Sequence, residues 1–244
     1  MTEDIRHALI IAADRYETAG FIPADPIQFP HRYTLKQDIE ISALISAWMA
    51  YGSRKVFLQI LNRMHDQMDA AGGPCRFIAS GAYQQCCQEP DKCLYRFYRQ
   101  SDYQALCDRL NALYCRYCSM EDMFDPSASL SVNVHSFCSF FEGINGIPVP
   151  GSPSANKRLY MFLRWMVRKN SPVDFGIWTR IPPSELIIPL DTHVYQVAKS
   201  LGITSRRNAD LKTAVEITRA MTEIWPDDPA RGDFALYGQG IDFV

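Results

Sequence analysis

The sequence predicts an all-α protein, because apolar residues recur at helical spacing along almost the whole chain and extended alternation is nearly absent. Of the 244 residues, 47% are hydrophobic and 21% are charged, which is the composition of a globular protein. The formal net charge is −2, so a nucleic-acid site has to be a local basic patch. At about 150 residues per domain, we expect one globular unit over residues 1–244, built of two lobes.

Helices follow one another through the first part of the chain, separated by Gly and Pro. Apolar residues between Ile5 and Tyr16 predict a first amphipathic helix, and a loop with three prolines follows. The stripes within 41–49 and 56–64 predict two more helices with a turn at Gly52. Extended β alternation is nearly absent between these elements.

The second part of the chain continues the same pattern. We predict helices near 102–119, 129–142, 156–169, 191–201 and 209–224, and a last helix from Asp228-Pro229. The segment Asn145–Ser154 holds two glycines and three prolines and is the strongest punctuation in the chain. It therefore predicts a tight loop before the helix that starts near Asn156.

The sequence has no predicted membrane span, no signal peptide and no second CxxC pair, and these features bear on the compartment and on the state of the cysteines. The mostly apolar run from Ile41 to Gly52 is shorter than the roughly 20 residues that span a bilayer, and the acidic N-terminus is not that of a signal peptide. We expect a cytoplasmic protein without a membrane partner and with reduced cysteines. Cys107, Cys115 and Cys118 fall at helical spacings among leucines, which favours buried thiols. A zinc site is the alternative, but the second cysteine pair that zinc requires is missing, so we expect no metal.

Two residues at predicted helix starts could carry chemistry. Lys157 opens the helix after the Gly/Pro-rich segment, where the helix dipole and the adjacent Arg158 favour the neutral amine that a nucleophile needs. A solvated surface lysine is the alternative. Asp191 precedes a later helix, where an N-cap alone explains it, although a capping carboxylate can also take part in catalysis.

The segments that carry these residues resemble the helix–hairpin–helix DNA glycosylase superfamily (HhH-GPD). The matching stretches are Leu44–Gly52, Lys157–Met166, Leu190–Val194 and Asp233–Gly238. The resemblance covers about 38–64 and 145–244, and it is closest to an uncharacterised bacterial family related to the 8-oxoguanine glycosylase branches. It implies two helical lobes with a cleft between them: one lobe of about 38–165, and one of about 1–37 plus 185–244. Lys157 and Asp191 would then meet across the cleft.

The resemblance implies base-excision repair of duplex DNA that contains an oxidised, 8-oxoguanine-like purine. Lys157 would attack the sugar C1′ of a flipped nucleotide and form a Schiff base, which gives possible lyase activity in addition. Asp191 would stabilise positive charge on the sugar or help to take up the lysine proton. Such a protein would act as a monomer and associate with the nucleoid.

The resemblance also implies residues that bind the base and the DNA backbone. Tyr237 would stack on the purine and Asp233 would accept from its ring N–H groups, with Trp48, Trp165 and Trp178 as further pocket candidates or core residues. The backbone candidates are Gly151, Ser152, Arg158, Arg164, Arg168 and His193. From Lys157 to Arg180 the chain has six basic residues and one acidic residue, which indicates a phosphate-facing patch or a solvated helix face.

The sequence departs from the family pattern in ways that bear on cofactors and function. No cysteine follows Cys138, so the iron–sulfur cluster of the endonuclease III branch is not expected. Gly151–Asn156 replaces the usual G-x-G hairpin, so we expect no cofactor and leave open a monovalent cation at the hairpin. Two alternative functions remain, a non-catalytic DNA-binding protein on the same scaffold and an all-α scaffold for protein partners.

Overall fold

Ten α-helices account for most of the regular structure in the part of the chain that is described, which confirms the all-α prediction. The computed structural model describes residues 1–242, and side chains as far as residue 238. The helices are α1 (Glu3–Tyr16), α2 (Lys36–Met49), α3 (Arg54–Ala70), α4 (Pro74–Ala79), α5 (Gln100–Arg116), α6 (Leu130–Phe140), α7 (Lys157–Val167), α8 (Thr192–Ser200), α9 (Leu211–Thr222) and α10 (Gly232–Asp242). A short antiparallel hairpin of β1 (Cys93–Tyr95) and β2 (Tyr98–Arg99) precedes α5. Within the described residues, no helix combines the length and apolarity needed to cross a bilayer.

Side-chain oxygens cap the first turns of α1, α8 and α9. The pairs are Thr2 with the Ile5 amide (3.4 Å), Asp191 with the Val194 amide (2.8 Å) and Asp210 with the Thr213 amide (2.9 Å). Each bond satisfies an amide that has no partner within its helix. Asp228 differs from the prediction: its side chain makes no cap bond and instead accepts from Arg168 at 2.8 Å.

The chain folds as two compact units. The first unit joins residues 1–25 to the chain from Ser152 onward, and the second unit comprises Pro26–Gly151. These bounds differ from those of the predicted lobes, because α7 lies in the first unit together with α1 and α10. Two ion pairs link this part of the chain to its neighbours: Arg164 of α7 pairs with Asp233 of α10, and Arg168 pairs with Glu17 just after α1.

The core of the first unit is built where α10 packs against α1 and α8. Small side chains allow close approach of these helices: Ala13, Ala198 and Ala235 are all fully buried. Gly238 continues this pattern, since a Cβ at that position would overlap the ring of Tyr16. The packing of α10 against α1 and α8 therefore fixes the positions of the α8 start and of α10 within the first unit.

The second unit is built around α2. Every residue from Asp38 to Met49 is buried, so the helix is enclosed on all sides, whereas the sequence predicts a single apolar stripe. The buried Glu40 carboxylate accepts from the Tyr114 hydroxyl (2.8 Å), the Ser119 hydroxyl (2.5 Å) and the Met120 amide (3.0 Å). These bonds compensate for the removal of the carboxylate from water.

The eight cysteines are free thiols, and they divide between core and surface. Cys87, Cys107 and Cys138 are buried, and Cys107 lies on the buried stripe of α5 as predicted. Cys115 and Cys118 are exposed, so the prediction of a buried face is wrong for them. The reason is geometric: the buried stripe of α5 ends at Leu113, and Cys118 lies beyond the end of the helix.

Candidate active site

The Gly/Pro-rich segment leads directly into α7. Asn156, just before the helix, has a left-handed backbone (φ +49°), a conformation that Asn tolerates better than most residues. Its carbonyl accepts from the amides of Leu159 (3.0 Å) and Tyr160 (3.1 Å). This turn makes Lys157 the first residue of the helix.

Lys157 and Asp191 form an ion pair within the first unit. Lys157 Nζ lies 3.4 Å from Asp191 Oδ2, and each side chain keeps 35% of its surface exposed. The other carboxylate oxygen of Asp191, Oδ1, accepts from the Val194 amide and so fixes the carboxylate at the start of α8. Two residues separated by 34 positions are thus brought together at two helix N-termini, with both functional groups still accessible. Their chemical roles stay predictions.

Two further site candidates lie on α10. The ring of Tyr237 is half-buried and makes edge contacts with Phe21 (centroids 5.5 Å apart) and His193 (6.4 Å). His193 follows Asp191 by two residues, so α8 supplies both the carboxylate and the imidazole of this region. Asp233 lies one helical turn before Tyr237. Its side chain is 14% exposed and pairs with Arg164.

The environment of Asp233 perturbs its ionisation. Burial raises the pKa of Asp233 to about 6, although Arg164 and Lys157 act to lower it and Asp191 acts to raise it further. The charges of Lys157 and Asp191 therefore reach Asp233, and the three side chains form one electrostatic cluster. A buried carboxyl group with a raised pKa beside an accessible ion pair is a common feature of functional sites.

Arg164 and Arg168 correct the prediction of a phosphate-facing patch, because both are buried. Arg164 pairs with Asp174 (3.3 Å) as well as with Asp233. Arg168 pairs with Asp174 (2.6 Å), Asp228 (2.7 Å) and Glu17 (2.7 Å). Both guanidinium groups also lie over the Phe234 ring, at 4.4 and 5.3 Å. Two of the six basic residues are thus neutralised inside the first unit and cannot contact a phosphate.

The acids of this buried cluster show the competition between burial and pairing. Burial raises the pKa of Asp174, and the attraction of Arg164 and Arg168 does not offset it. Burial also acts to raise the pKa of Glu17, but the charge of Arg168 and its hydrogen bond lower the pKa on balance. For Arg168, burial alone would lower the pKa, and the bond to Asp228 with the charge of Asp174 raises it. The pKa of each group in this cluster therefore depends on the charges of the other members.

The tryptophans named from the sequence are core residues. Trp48, Trp165 and Trp178 are at most 2% exposed, so none of them can stack on a base in this conformation. The Trp48 indole donates to the Asn145 carbonyl at 2.7 Å. Their assignment to the base pocket is corrected, because aromatic rings of this size fill the interior of the helical units.

The loop before α7 is where the sequence predicts contacts with the DNA backbone and leaves open a monovalent cation. Gly151 is exposed and Ser152 and Arg158 are half-buried, so these candidates stay predictions. The Ser152 hydroxyl accepts from the Ser154 amide (3.2 Å), and the Pro153 carbonyl accepts from the Leu211 amide (2.9 Å). These groups fit a hydrogen-bonded turn better than a cation cage, and no step below uses a cation. Among the residues described, no group of His, Cys, Asp and Glu could hold a metal ion.

A groove of about 620 Å³ lies next to the buried arginine cluster. Its walls include Lys169, Trp225 and Arg231, together with the acids Asp14 and Asp228. Arg231 already pairs with Asp14 at 2.6 Å and Asp228 with Arg168. The groove therefore consists largely of charges that neutralise each other, and Lys157 and Asp191 are not among its lining residues.

Sequence reasoning missed Phe21 and the acids around Arg168. Phe21 follows α1 in a segment that the sequence predicts only as a loop. Its position in the sequence gives no indication of its contact with Tyr237 of α10. Glu17, Asp174 and Asp228 are far apart in sequence, and only the fold brings them to one guanidinium. The single available signal was Asp174, the one acid in the basic stretch.

Fold and site define an all-α protein of two units, in which a Lys–Asp pair joins two helix N-termini. The chain belongs to the family described as protein of unknown function (DUF2400), whose model matches residues 25–242. That range includes Lys157, Asp191, Asp233 and Tyr237. No curated protein matches the chain, and no solved structure matches it.

Proposed function

We propose that this protein is a DNA base-excision glycosylase with lyase activity, of the helix–hairpin–helix type, which removes an oxidised purine. The observation that carries the proposal is the accessible pair of Lys157 and Asp191, with 3.4 Å between the amine and the carboxylate. This is the pair of functional groups that the resemblance implies for nucleophile and carboxylate. In the first unit the fold brings them within contact distance of each other.

Lys157 supplies the nucleophile. Once the Lys157 ammonium has lost a proton through the Asp191 carboxylate to water, the amine attacks C1′ of the flipped nucleotide. The bond from C1′ to the base nitrogen breaks, and the base leaves with the bonding electron pair and takes up a proton. The nitrogen then loses a proton, the bond from C1′ to the ring oxygen O4′ breaks, and O4′ takes up a proton as the sugar ring opens, which gives a Schiff base between Lys157 and C1′. The Schiff base makes the 2′ proton acidic, so that the 3′ phosphate can be eliminated. Sodium borohydride reduces the same Schiff base to a stable amine, which makes the intermediate detectable.

Asp191 stabilises the positive charge that develops on the sugar as the base departs. Its place at the N-terminus of α8 suits this role, because the Val194 amide holds the carboxylate in one orientation. The second carboxylate oxygen of Asp191, Oδ2, lies 3.4 Å from Lys157 Nζ and can accept a proton from it. One residue thereby caps the helix and orients the nucleophile.

Asp233 and Tyr237 bind the base in this proposal. An ionised Asp233 accepts from N–H groups at the purine edge, and Tyr237 offers an aromatic ring next to His193. With a pKa of about 6, Asp233 is mostly ionised at neutral pH and can act as an acceptor. The exposed cations Lys169 and Arg180 then take the place of the buried Arg164 and Arg168 in contacting phosphates.

Borohydride trapping tests the proposal. Purified full-length protein is incubated with a duplex that carries one 8-oxoguanine, and in parallel with a duplex that carries an abasic site. Wild type should give a covalent protein–DNA adduct, and Lys157→Gln should give none. Lys212→Gln is the matched control, since it removes an exposed lysine from the first turn of another helix of the same unit, α9. Asp191→Asn keeps a capping side chain but removes the charge, and it should slow adduct formation by about 100-fold or more.

Each result of this assay points to one conclusion. An adduct that persists in Lys157→Gln contradicts the assigned nucleophile. Binding of both duplexes without any adduct favours a non-catalytic DNA-binding protein on the same scaffold. Failure to bind either duplex leaves the all-α scaffold for protein partners as the best remaining function.

A further inference from the structure

Two large aromatic side chains are exposed next to each other on the second unit. Tyr51 follows α2, and Phe97 lies at the tip of the β1–β2 hairpin; they are 44% and 46% exposed, respectively. Their ring centroids are 5.2 Å apart, with an angle of 59° between the ring planes. Leaving this much aromatic surface in water is unfavourable unless a partner covers it.

The backbone beneath this aromatic pair is held by three hydrogen bonds. The Tyr95 hydroxyl donates to the Tyr51 carbonyl at 2.7 Å, and the side-chain Nδ2 of Asn145 donates to the Phe97 carbonyl at 3.3 Å. The Tyr98 hydroxyl donates to the Trp48 carbonyl at 3.0 Å, which ties the hairpin to α2. The two exposed rings are thus presented on a fixed frame, which reduces the entropy lost on binding.

The aromatic rings extend inward as a continuous series. Phe97 contacts Tyr98 (4.6 Å), and Tyr98 contacts the buried Trp48 (4.1 Å). The exposed pair is therefore the outer end of a packed aromatic column. A ring stacked on that end would continue the same kind of contact.

The charged residues in the two short segments that carry the pair are all positive. The Arg96 guanidinium lies 5.3 Å from the centre of the Tyr51 ring, and Arg96 has a left-handed backbone (φ +53°). Gly52 permits this approach, because a Cβ there would overlap the Arg96 guanidinium. Residues 51–56 and 93–98 together contain Arg54, Lys55 and Arg96 and no acidic residue. Such a surface attracts an anion that also carries flat apolar groups.

We propose that Tyr51 and Phe97 stack on an unpaired nucleobase of DNA while Arg96 contacts a neighbouring phosphate. Every nucleobase has a flat face, so two rigid aromatic rings with cations beside them suit it irrespective of sequence. A protein partner fits less well, since a stable interface buries about 800 Å² on each side, more than two rings offer. The proposal rests on the proposed function only in that both require DNA as the ligand, and it concerns residues of the other unit.

Fluorescence anisotropy with two labelled duplexes tests this proposal. One duplex is fully paired, and the other is the same duplex with one bulged thymine. Wild type should bind the bulged duplex more tightly. Phe97→Ala should weaken binding of the bulged duplex by about tenfold, the size of effect expected for loss of one base–aromatic stack, and should leave the paired duplex nearly unchanged. Arg96→Gly, which suits the left-handed backbone, should reduce the slope of log affinity against log salt by about 1 for both duplexes.

The controls separate stacking from other effects. Tyr117→Ala removes a different ring that also lies under an arginine, Arg116 at 5.1 Å, and it should bind both duplexes like wild type. Phe97→Leu keeps apolar bulk without a flat ring and should resemble Phe97→Ala. Equal loss for both duplexes, no loss in Phe97→Ala, or full binding by Phe97→Leu would each overturn the proposal, as would the absence of any DNA binding by wild type. A trapped adduct with unchanged bulge binding in Phe97→Ala removes this inference alone, whereas a bulge preference without any adduct removes the glycosylase activity alone.

Discussion

At the scale of single residues, position in the fold decides what each charged group can do. Lys157 and Asp191 are both partly exposed and paired, so their charges stay accessible. Arg164, seven residues after Lys157 in the same helix, is 3% exposed and committed to acids. Asp233 joins the two environments, since it pairs with the buried Arg164 and responds to the charge of the exposed Lys157.

Asp233 should make the stability of the protein fall as pH rises through the window from about 4 to about 6. Its pKa is raised from the ordinary 3.8 to about 6, so in that window the folded protein binds more protons than the unfolded chain. Asp233→Asn cannot titrate there. The free energy of unfolding of wild type, minus that of the variant, should therefore drop by about 2 to 3 kcal/mol between pH 4 and pH 7. Urea unfolding of both proteins at half-unit pH intervals measures the difference.

The same series carries its own control. Asp210→Asn removes a carboxylate whose pKa is lowered, chiefly by the hydrogen bond from the Thr213 amide, so its difference curve should not fall over this window. Parallel stability curves for wild type and Asp233→Asn would show that Asp233 ionises normally in the folded protein.

At the scale of elements, periodicity predicts which segments are helical, while the burial of a charged face depends on distant parts of the chain. The start of α8 at Asp191 is predictable, because a capping residue before an apolar stripe is a local signal. The burial of Arg168, just after α7, is not predictable, because its partners Glu17 and Asp228 lie 151 and 60 residues away. For the same reason, α2 is enclosed on all sides although its sequence indicates one stripe.

Arg168→Met should destabilise the protein by about 3 to 5 kcal/mol, because it leaves the buried acids around it without their cation. Methionine keeps much of the side-chain volume, so the loss reports mainly on charge. Lys212→Ala, an exposed change on α9, should stay within about 0.5 kcal/mol of wild type. Urea unfolding at pH 7 gives both values. A loss for Arg168→Met no larger than that of the control would mean that the cluster adds nothing to stability.

At the scale of the whole molecule, the sequence predicts helices and a Lys–Asp pair, and the structure places both members of that pair in the first unit. The domain bounds were the harder prediction, because the boundary between Gly151 and Ser152 falls inside the Gly/Pro-rich segment, whereas the predicted lobe continues past it to residue 165. The second unit holds the exposed Tyr51 and Phe97, which periodicity could not separate from core aromatics.

His65 in the second unit should respond to acid in the opposite way to Asp233 in the first unit. Its Nδ1 donates to the Leu61 carbonyl (2.8 Å), so in the neutral ring Nε2 is the nitrogen that accepts from the Ser42 hydroxyl (2.7 Å). Burial lowers the pKa of His65 from 6.5 to about 4. Between these values the unfolded chain binds more protons, so the stability that His65 contributes is lost as pH falls.

His65→Gln removes this titration and keeps a side chain that can form hydrogen bonds. The stability of wild type relative to the variant should rise by about 3 kcal/mol from pH 4 to pH 7, the reverse of the trend for Asp233→Asn. Urea unfolding over the same pH series measures it. A flat difference would show that His65 keeps its ordinary pKa.

The most direct test of the account is to identify the residue that becomes linked to DNA. After borohydride reduction of wild type on an 8-oxoguanine duplex, the adduct is digested with protease and nuclease, and the modified peptide is sequenced by mass spectrometry. The account predicts a deoxyribose remnant on Lys157 and on no other amine. Attachment at another lysine or at the N-terminus, or no adduct with either lesion duplex, would contradict it.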